Sequence, residues 1–176
     1  MNLKPQDILI ALKLVALGDR NWSYVKLANE LSMSASEINA GVKRCLSAGL
    51  LLPALQEGES PHPAIKALEE FLVHGVRYTF VPELGELTRG VPTGYAADPL
   101  KDNFVVGNEP PPVWPYAEGR VRGYSFSPLY RSVPQAALAD KQLYELLVLV
   151  DAIRGGKARE KEMAVSELKE RLRQKW

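Results

Sequence analysis

Apolar and polar positions divide the 176-residue chain into three zones. Residues 3–60 are dense in helical spacing, roughly 75–135 are rich in Pro, Gly and aromatic residues, and 138–175 return to helical spacing. The first predicted helix runs from about Pro5 to Leu17. Pro5 suits the first turn, where its missing N–H removes no bond, and Gly18 suits the stop. Ile8, Leu9, Ile10, Ala11, Leu12, Leu14, Val15, Ala16 and Leu17 surround the cylinder. One buried stripe cannot hold all of them, so this helix is expected between two packing surfaces. One is the rest of the N-terminal domain. The other is either the C-terminal helices or a second subunit.

A second helix is predicted over about Tyr24–Leu31, with Ser23 as its N-cap. A third covers about Ala35–Ala48, opened by the S-x-x-E capping box of Ser34 and Glu37 and closed by Gly49. Leu50–Leu52 then reads as a short strand and Glu57–Pro61 as a turn. A further helix is expected over about Pro63–Gly75, with Ile65, Leu68, Phe71 and Leu72 on one face. Arg77–Val81, Asn103–Val106 and Arg120–Ser125 are candidate strands. The run Glu109–Pro115, with four prolines, is expected to lie extended on the surface as polyproline II. Two helices, about 140–153 and 157–174, end the chain, broken at Gly155 and Gly156.

Composition narrows the classes of function. One cysteine, Cys45, excludes an internal disulfide framework, and one Cys with two His cannot build a Cys/His zinc site. No apolar run is long enough to span a bilayer, and no signal peptide is evident, so the chain reads as a cytoplasmic protein without membrane contact. The net charge of +1 leaves nucleic-acid and protein partners both open. Residues 1–60 are neutral, 61–140 carry −2 and 141–176 carry +3. The basic end reads as a solvated helix.

Function is read most directly from the second and third helices. Only Ser32 and Met33 lie between Leu31 and the cap Ser34, which makes a helix-turn-helix corner. Leu27, Ala28 and Leu31 face inward from one, and Ile38, Val42, Cys45 and Leu46 from the other. At 100° per residue the opposite face of the third helix gathers Ser36, Ala40, Lys43 and Ser47, flanked by Glu37, Asn39 and Arg44. Short polar side chains let a backbone approach base edges, and Lys or Arg reaches guanine or phosphate. The DNA-contact candidates are therefore Ser34, Ser36, Glu37, Asn39, Ala40, Lys43, Arg44 and Ser47. Lys43 and Arg44 would supply affinity, and Ser36, Asn39 and Ala40 sequence choice.

The run Leu27–Ile38, followed by Val42–Leu51, resembles a bacterial winged helix-turn-helix of the MarR type. It matches Leu-Ala, a Leu three residues later, Ser opening the next helix and Gly-Leu-Leu closing it. The resemblance covers about residues 5–60. It departs at Ser32, where many members carry Gly, and at Leu50–Pro61, which is short for a wing and carries Glu57 and Glu59 rather than basic residues. His74–Phe80 and Leu87–Thr93 are similar to a small bacterial family of helix-turn-helix regulators, some encoded beside nucleotidyltransferase toxin-like genes. That resemblance implies a transcriptional or toxin–antitoxin role.

The expected architecture is mainly α. A winged helix-turn-helix (1–60) is followed by a linking helix and Pro/Gly-rich irregular region with short strands (61–137). A C-terminal helical hairpin (138–176) would serve dimerisation. The leading function is a DNA-binding transcriptional regulator, as a homodimer on double-stranded DNA. The first helix and the C-terminal helices would form the two-fold interface. The rival is an adaptor or antitoxin that grips a partner protein through residues 82–135. No cofactor is implied, and no nucleophile–base pair or nucleotide fingerprint suggests an enzyme. Cys45 reads as a core hydrophobe rather than a redox sensor. His74 reads as a helix-end residue, His62 as exposed, and Arg154–Lys157 as a helix break rather than a phosphate loop. Arg77, Arg89, Arg120, Arg122 and Arg131 in the irregular zone offer ligand, DNA or partner contacts.

Overall fold

The computed structural model describes residues 2–105 and 107–175, and these are mainly helical. Helix α1 (Pro5–Leu17) is buried at every residue from Asp7 to Leu17. Helix α2 (Tyr24–Leu31) starts where Ser23 Oγ accepts the Lys26 N–H at 3.1 Å. Helix α3 (Ala35–Ser47) starts on the expected capping box, with Glu37 N–H bonded to Ser34 Oγ at 3.1 Å and Ser34 N–H to Glu37 Oε2 at 2.8 Å. Between them Ser32 takes a left-handed conformation, φ 53°. Leu27, Ala28, Leu31, Ile38, Val42 and Cys45 are buried as their spacing predicts. The strands β1 (Leu51–Leu52) and β2 (His62–Pro63) pair antiparallel, Leu51 opposite Pro63 and Leu52 opposite His62. The hairpin is thus completed beyond residue 60, and His62 is half-buried in it.

Helix α4 (Ile65–His74) is followed by one more helical turn, α5 (Val76–Thr79), where a strand was expected. The reason lies in Val76 and Phe80, which are buried four residues apart, a helical spacing that a five-residue window hides. The N–H groups of Tyr78 and Thr79 both bond Gly75 O at 3.1 Å.

Strand β3 (Leu84–Pro92) was not anticipated. It lies antiparallel to both β4 (Pro112–Pro115) and β5 (Val121–Phe126), while β4 and β5 run parallel, so the three close into a small barrel. The Pro-rich run is therefore corrected. Its second half is a strand, and Val113 and Trp114 are fully buried. Prolines occupy only its ends, so no ladder donor is lost where pairing needs one. Closure also needs glycine: a Cβ on Gly90 would stand 2.0 Å from Trp114 O, and one on Gly123 2.0 Å from Pro111 O. The strand expected at 103–106 is not formed in the described residues. Lys101–Asn103 is a 3₁₀ turn closed by Asn103 N–H on Leu100 O at 3.0 Å, Phe104 and Val105 are irregular, and Val106 lies outside the described residues.

Helices α6 (Val133–Ala139), α7 (Lys141–Gly155) and α8 (Ala158–Lys175) complete the chain. Helix α1 is sandwiched between α3 and α7. Its second packing surface is thus the chain's own C-terminal region. The apolar girdle expected to form a two-fold interface is used within one copy, because its residues are at most 5 % exposed. Helix α8 turns Ala164, Leu168 and Leu172 onto α7 and α4.

Two buried polar clusters join the parts. Lys13 on α1 is 4 % exposed, with its ammonium 2.6 Å from Asp140 Oδ2 and 3.3 Å from Glu30 on α2. Asp140 also caps α7 through the Leu143 N–H at 3.1 Å. On α7, Asp151 accepts from Thr93 Oγ1 (2.7 Å), Trp114 Nε1 (2.6 Å) and Arg154 Nη1 (2.7 Å). Arg154 in turn donates to Phe80 O at 2.9 Å and Ser127 O at 3.3 Å. The barrel is thereby pinned to the helical body by a carboxylate whose charge is met by a guanidinium.

Candidate nucleic-acid interface

Helix α3 presents two unlike faces. Inward, Ile38, Gly41, Val42 and Cys45 are buried against α1 and α2. Close approach requires Gly41, since a Cβ there would stand 2.4 Å from Ile10 Cδ1. Outward, Ser36, Asn39, Lys43 and Ser47 are exposed and Ala40 is half-buried. Among the described residues no hydrogen bond or ion pair engages the side chains of Ser36, Asn39, Lys43 or Ser47. These five form one continuous strip, as the helical wheel predicts.

The other three candidates are occupied. Ser34 caps α3 and remains at the edge of the strip. Glu37 is held on both oxygens: Oε2 by the Ser34 N–H, Oε1 by the hydroxyl of Tyr130 and, at 3.5 Å, by Arg131. The Tyr130 hydrogen bond, then the Ser34 N–H, hold its carboxyl below the usual value. Arg44 departs most from expectation. Its Nε and Nη2 lie 2.7 and 2.8 Å from the two carboxylate oxygens of Asp7, in the first turn of α1. Asp7 is fully buried and also accepts the Lys4 N–H at 2.8 Å. Arg44 therefore neutralises a buried charge and braces α3 on α1.

Lys43 is thus the one cation on the outer strip of α3. A second cation reaches α3 at its first turn, from far away in sequence. Arg131 is mostly exposed, and its guanidinium lies over the Tyr130 ring at 4.7 Å, next to the first turn of α3. Its sequence surroundings named it only as one of five arginines in an irregular zone. The ion pair to Glu37 is what places it here. The β1–β2 loop brings no cation; Glu57 and Glu59 are exposed.

No family model, curated protein or solved structure matches this chain. Its own chemistry must carry the reading. Cys45 is buried with Sγ 3.4 Å from Asp7 O, and burial, then the Asp7 charge, pushes its thiol up to about 12. A thiol so protonated is a poor nucleophile. Among the described residues no group of three His, Cys, Asp or Glu gathers as metal ligands would. Nor is any described helix long and apolar enough to cross a membrane.

Proposed function

We propose that residues 5–63 are a winged helix-turn-helix and that the protein binds double-stranded DNA as a transcriptional regulator, with α3 in the major groove. The observation that carries this reading is the outer strip of α3. It is polar, short-chained and unpartnered on a helix whose other side is rigidly seated on α1 and α2. Ser36 and Asn39 would meet base edges, Ala40 would let the helix approach, and Lys43 and Arg131 would meet phosphate. With two cations the electrostatic contribution is small. The expected salt slope is about −2 per protein copy, from about −0.9 per phosphate neutralised. A homodimer would have to use a surface other than α1.

The test is fluorescence anisotropy with the gene's upstream DNA and a scrambled duplex at two salt concentrations. Preference for the upstream duplex is expected. Lys43→Ala should weaken binding by about 1–3 kcal/mol if Lys43 reads a base, or reduce the salt slope by about 1 if it holds a phosphate. Absence of binding at low salt would overturn the reading. A protein-docking reading, as an adaptor or antitoxin, is favoured by one specific pair of facts: the acidic loop tip and the commitment of Arg44 to Asp7. Both remove positive charge from the side that DNA would face. In that case the same strip, with Lys43 at its centre, is the surface to mutate.

A further inference from the structure

Between the barrel, residues 94–105 and 107–112 and the junction of α7 with α8 lies an open cleft of about 1090 Å3. That is the size of a site for a multi-ring small molecule. Its walls are mostly apolar, built from Leu84, Pro92, Pro111, Val121, Phe126 and Ala152. Aromatic rings complete it. Tyr95 and Phe104 meet edge to face at 6.4 Å, and Tyr124 stands opposite on β5, 48 % exposed. Leu84 and Val105 at the mouth are 72 % and 96 % exposed. Contiguous apolar surface of this kind left open to water marks a binding site.

The charges around the cleft say what sort of molecule it takes. Lys101, Lys157 and Arg159 stand against Asp102, Glu109 and Glu160, equal in number. Several are already engaged: Lys101 with Asp98 at 3.4 Å, Arg159 over the Phe104 ring at 5.8 Å, and Glu160 with the Lys157 N–H at 2.8 Å. Asp151, at the floor, is matched by Arg154. Neither sign predominates, so nothing selects an ion. The hydroxyls of Tyr95 and Ser125 have no protein partner among the described residues and provide polar handles.

A route leads from this cleft to α3. Phe126 forms part of the wall, and the Arg154 guanidinium lies over its ring at 5.6 Å while bonding Ser127 O. The chain then runs directly through Ser127–Leu129 to Tyr130, whose hydroxyl bonds Glu37 in the first turn of α3. We propose that the cleft binds an uncharged polycyclic aromatic molecule bearing a hydrogen-bonding group, and that its occupancy is relayed through Phe126, residues 127–131 and Tyr130 to the start of α3. A ring settling against Phe126 steadies that segment and with it the Glu37 contact. Binding itself is independent of what α3 does. Only the consequence of the relay rests on the DNA-binding reading.

Two fluorescent probes with the same rings test this on the full chain: uncharged N-phenyl-1-naphthylamine and its sulfonated relative 8-anilinonaphthalene-1-sulfonate. The uncharged probe is expected to bind saturably, one per chain, and about tenfold or more tighter than the sulfonate. Tyr124→Ala, at a half-exposed position, and Ala96→Trp, which fills the cleft from the opposite wall, should each weaken it by about tenfold. Tyr78→Ala, 74 % exposed and outside the cleft, should leave it unchanged. Equal affinity for both probes, a signal that does not saturate, or indifference to both cleft variants overturns the site. Amide hydrogen exchange reads the relay without DNA. The probe should slow exchange at 127–132 and at 34–38. Tyr130→Phe should abolish the second effect while keeping probe affinity. Unchanged exchange at 34–38 overturns the relay. A probe that binds and slows exchange in a protein with no affinity for DNA sustains this site and overturns the DNA-binding reading instead.

Discussion

The helices α1–α3 and the strands β3–β5 reach order by opposite routes. Helices α2 and α3 carry their own instructions, a capping serine and a one-sided apolar stripe within about a dozen residues, and α1 opens on Pro5 and stops at Gly18. No strand of the barrel carries such instructions. Strand β4 has four residues, two of them proline, and β3 is paired only after the chain has returned from residues 112–126. In the helical unit a fault is local, because neighbouring turns still hold. In the barrel, backbones meet so closely that a fault propagates around the ring. The difference teaches that tolerance to substitution here follows how far apart the cooperating residues lie in the sequence.

The two buried carboxylate–guanidinium pairs give the largest contrast. Asp151→Asn leaves Arg154, whose side chain is 3 % exposed, without a counter-charge. A loss of about 3–5 kcal/mol is expected in urea denaturation. Asp7→Asn should cost less, because the Arg44 side chain is 12 % exposed and can turn toward water. Equal losses would break the comparison. Glycine substitutions sharpen it. Gly123→Ala drives a Cβ into backbone Pro111 O and should cost at least about 1–3 kcal/mol, seen as a lower denaturation midpoint. Gly41→Ala meets side chains rather than backbone, the Cδ1 end of Ile10 at 2.4 Å and Asp7 Oδ1 at 3.0 Å, and gains about 1 kcal/mol of helix propensity, so a smaller loss is expected.

Acid should act on the seam between the regions. Burial alone would raise the Asp140 carboxyl, but the hydrogen bond from Lys13 and the N–H of Leu143 outweigh it and hold it below the ordinary 3.8. A depressed carboxyl adds stability above its unfolded value and loses it as pH falls through the folded one. Stability should therefore decline below pH 3.8, and Asp140→Asn should flatten that decline in denaturation midpoints taken across the acid range. The smallest effect is expected at the turn. Ser32→Gly relieves a left-handed backbone and should add up to about 1 kcal/mol, less the entropy that glycine brings to the unfolded chain. A rise in the thermal midpoint would check it.

Legibility in the sequence followed the same division. The capping box at Ser34 and Glu37, the inward stripe of α3 and its exposed strip are local, and they stand where the spacing puts them. Arg44 was misread because a helical wheel shows its flank position but not Asp7, 37 residues earlier, reaching across from α1. Arg131 was underrated for the same reason, since its neighbour Glu37 lies on another element. Strand β3 was invisible for a different one. Its alternation is interrupted by an irregularity between Leu84 and Leu87, and most of its first five residues are exposed on both faces. Trp114, between prolines, gave no sign that Asp151 would receive its N–H.

Lys13 has a consequence for how such a molecule is dismantled and inherited. Its ammonium is shared by side chains from α2 and from the cap of α7, 127 residues away. A gene fragment ending after the β1–β2 hairpin would encode α1 with one flank bare and Lys13 deprived of Asp140. Such a fragment should misfold or aggregate when expressed. The N-terminal portion is therefore no interchangeable cassette. Recombination could not graft it onto another body without also transplanting α7, and the chain must be passed on as a whole.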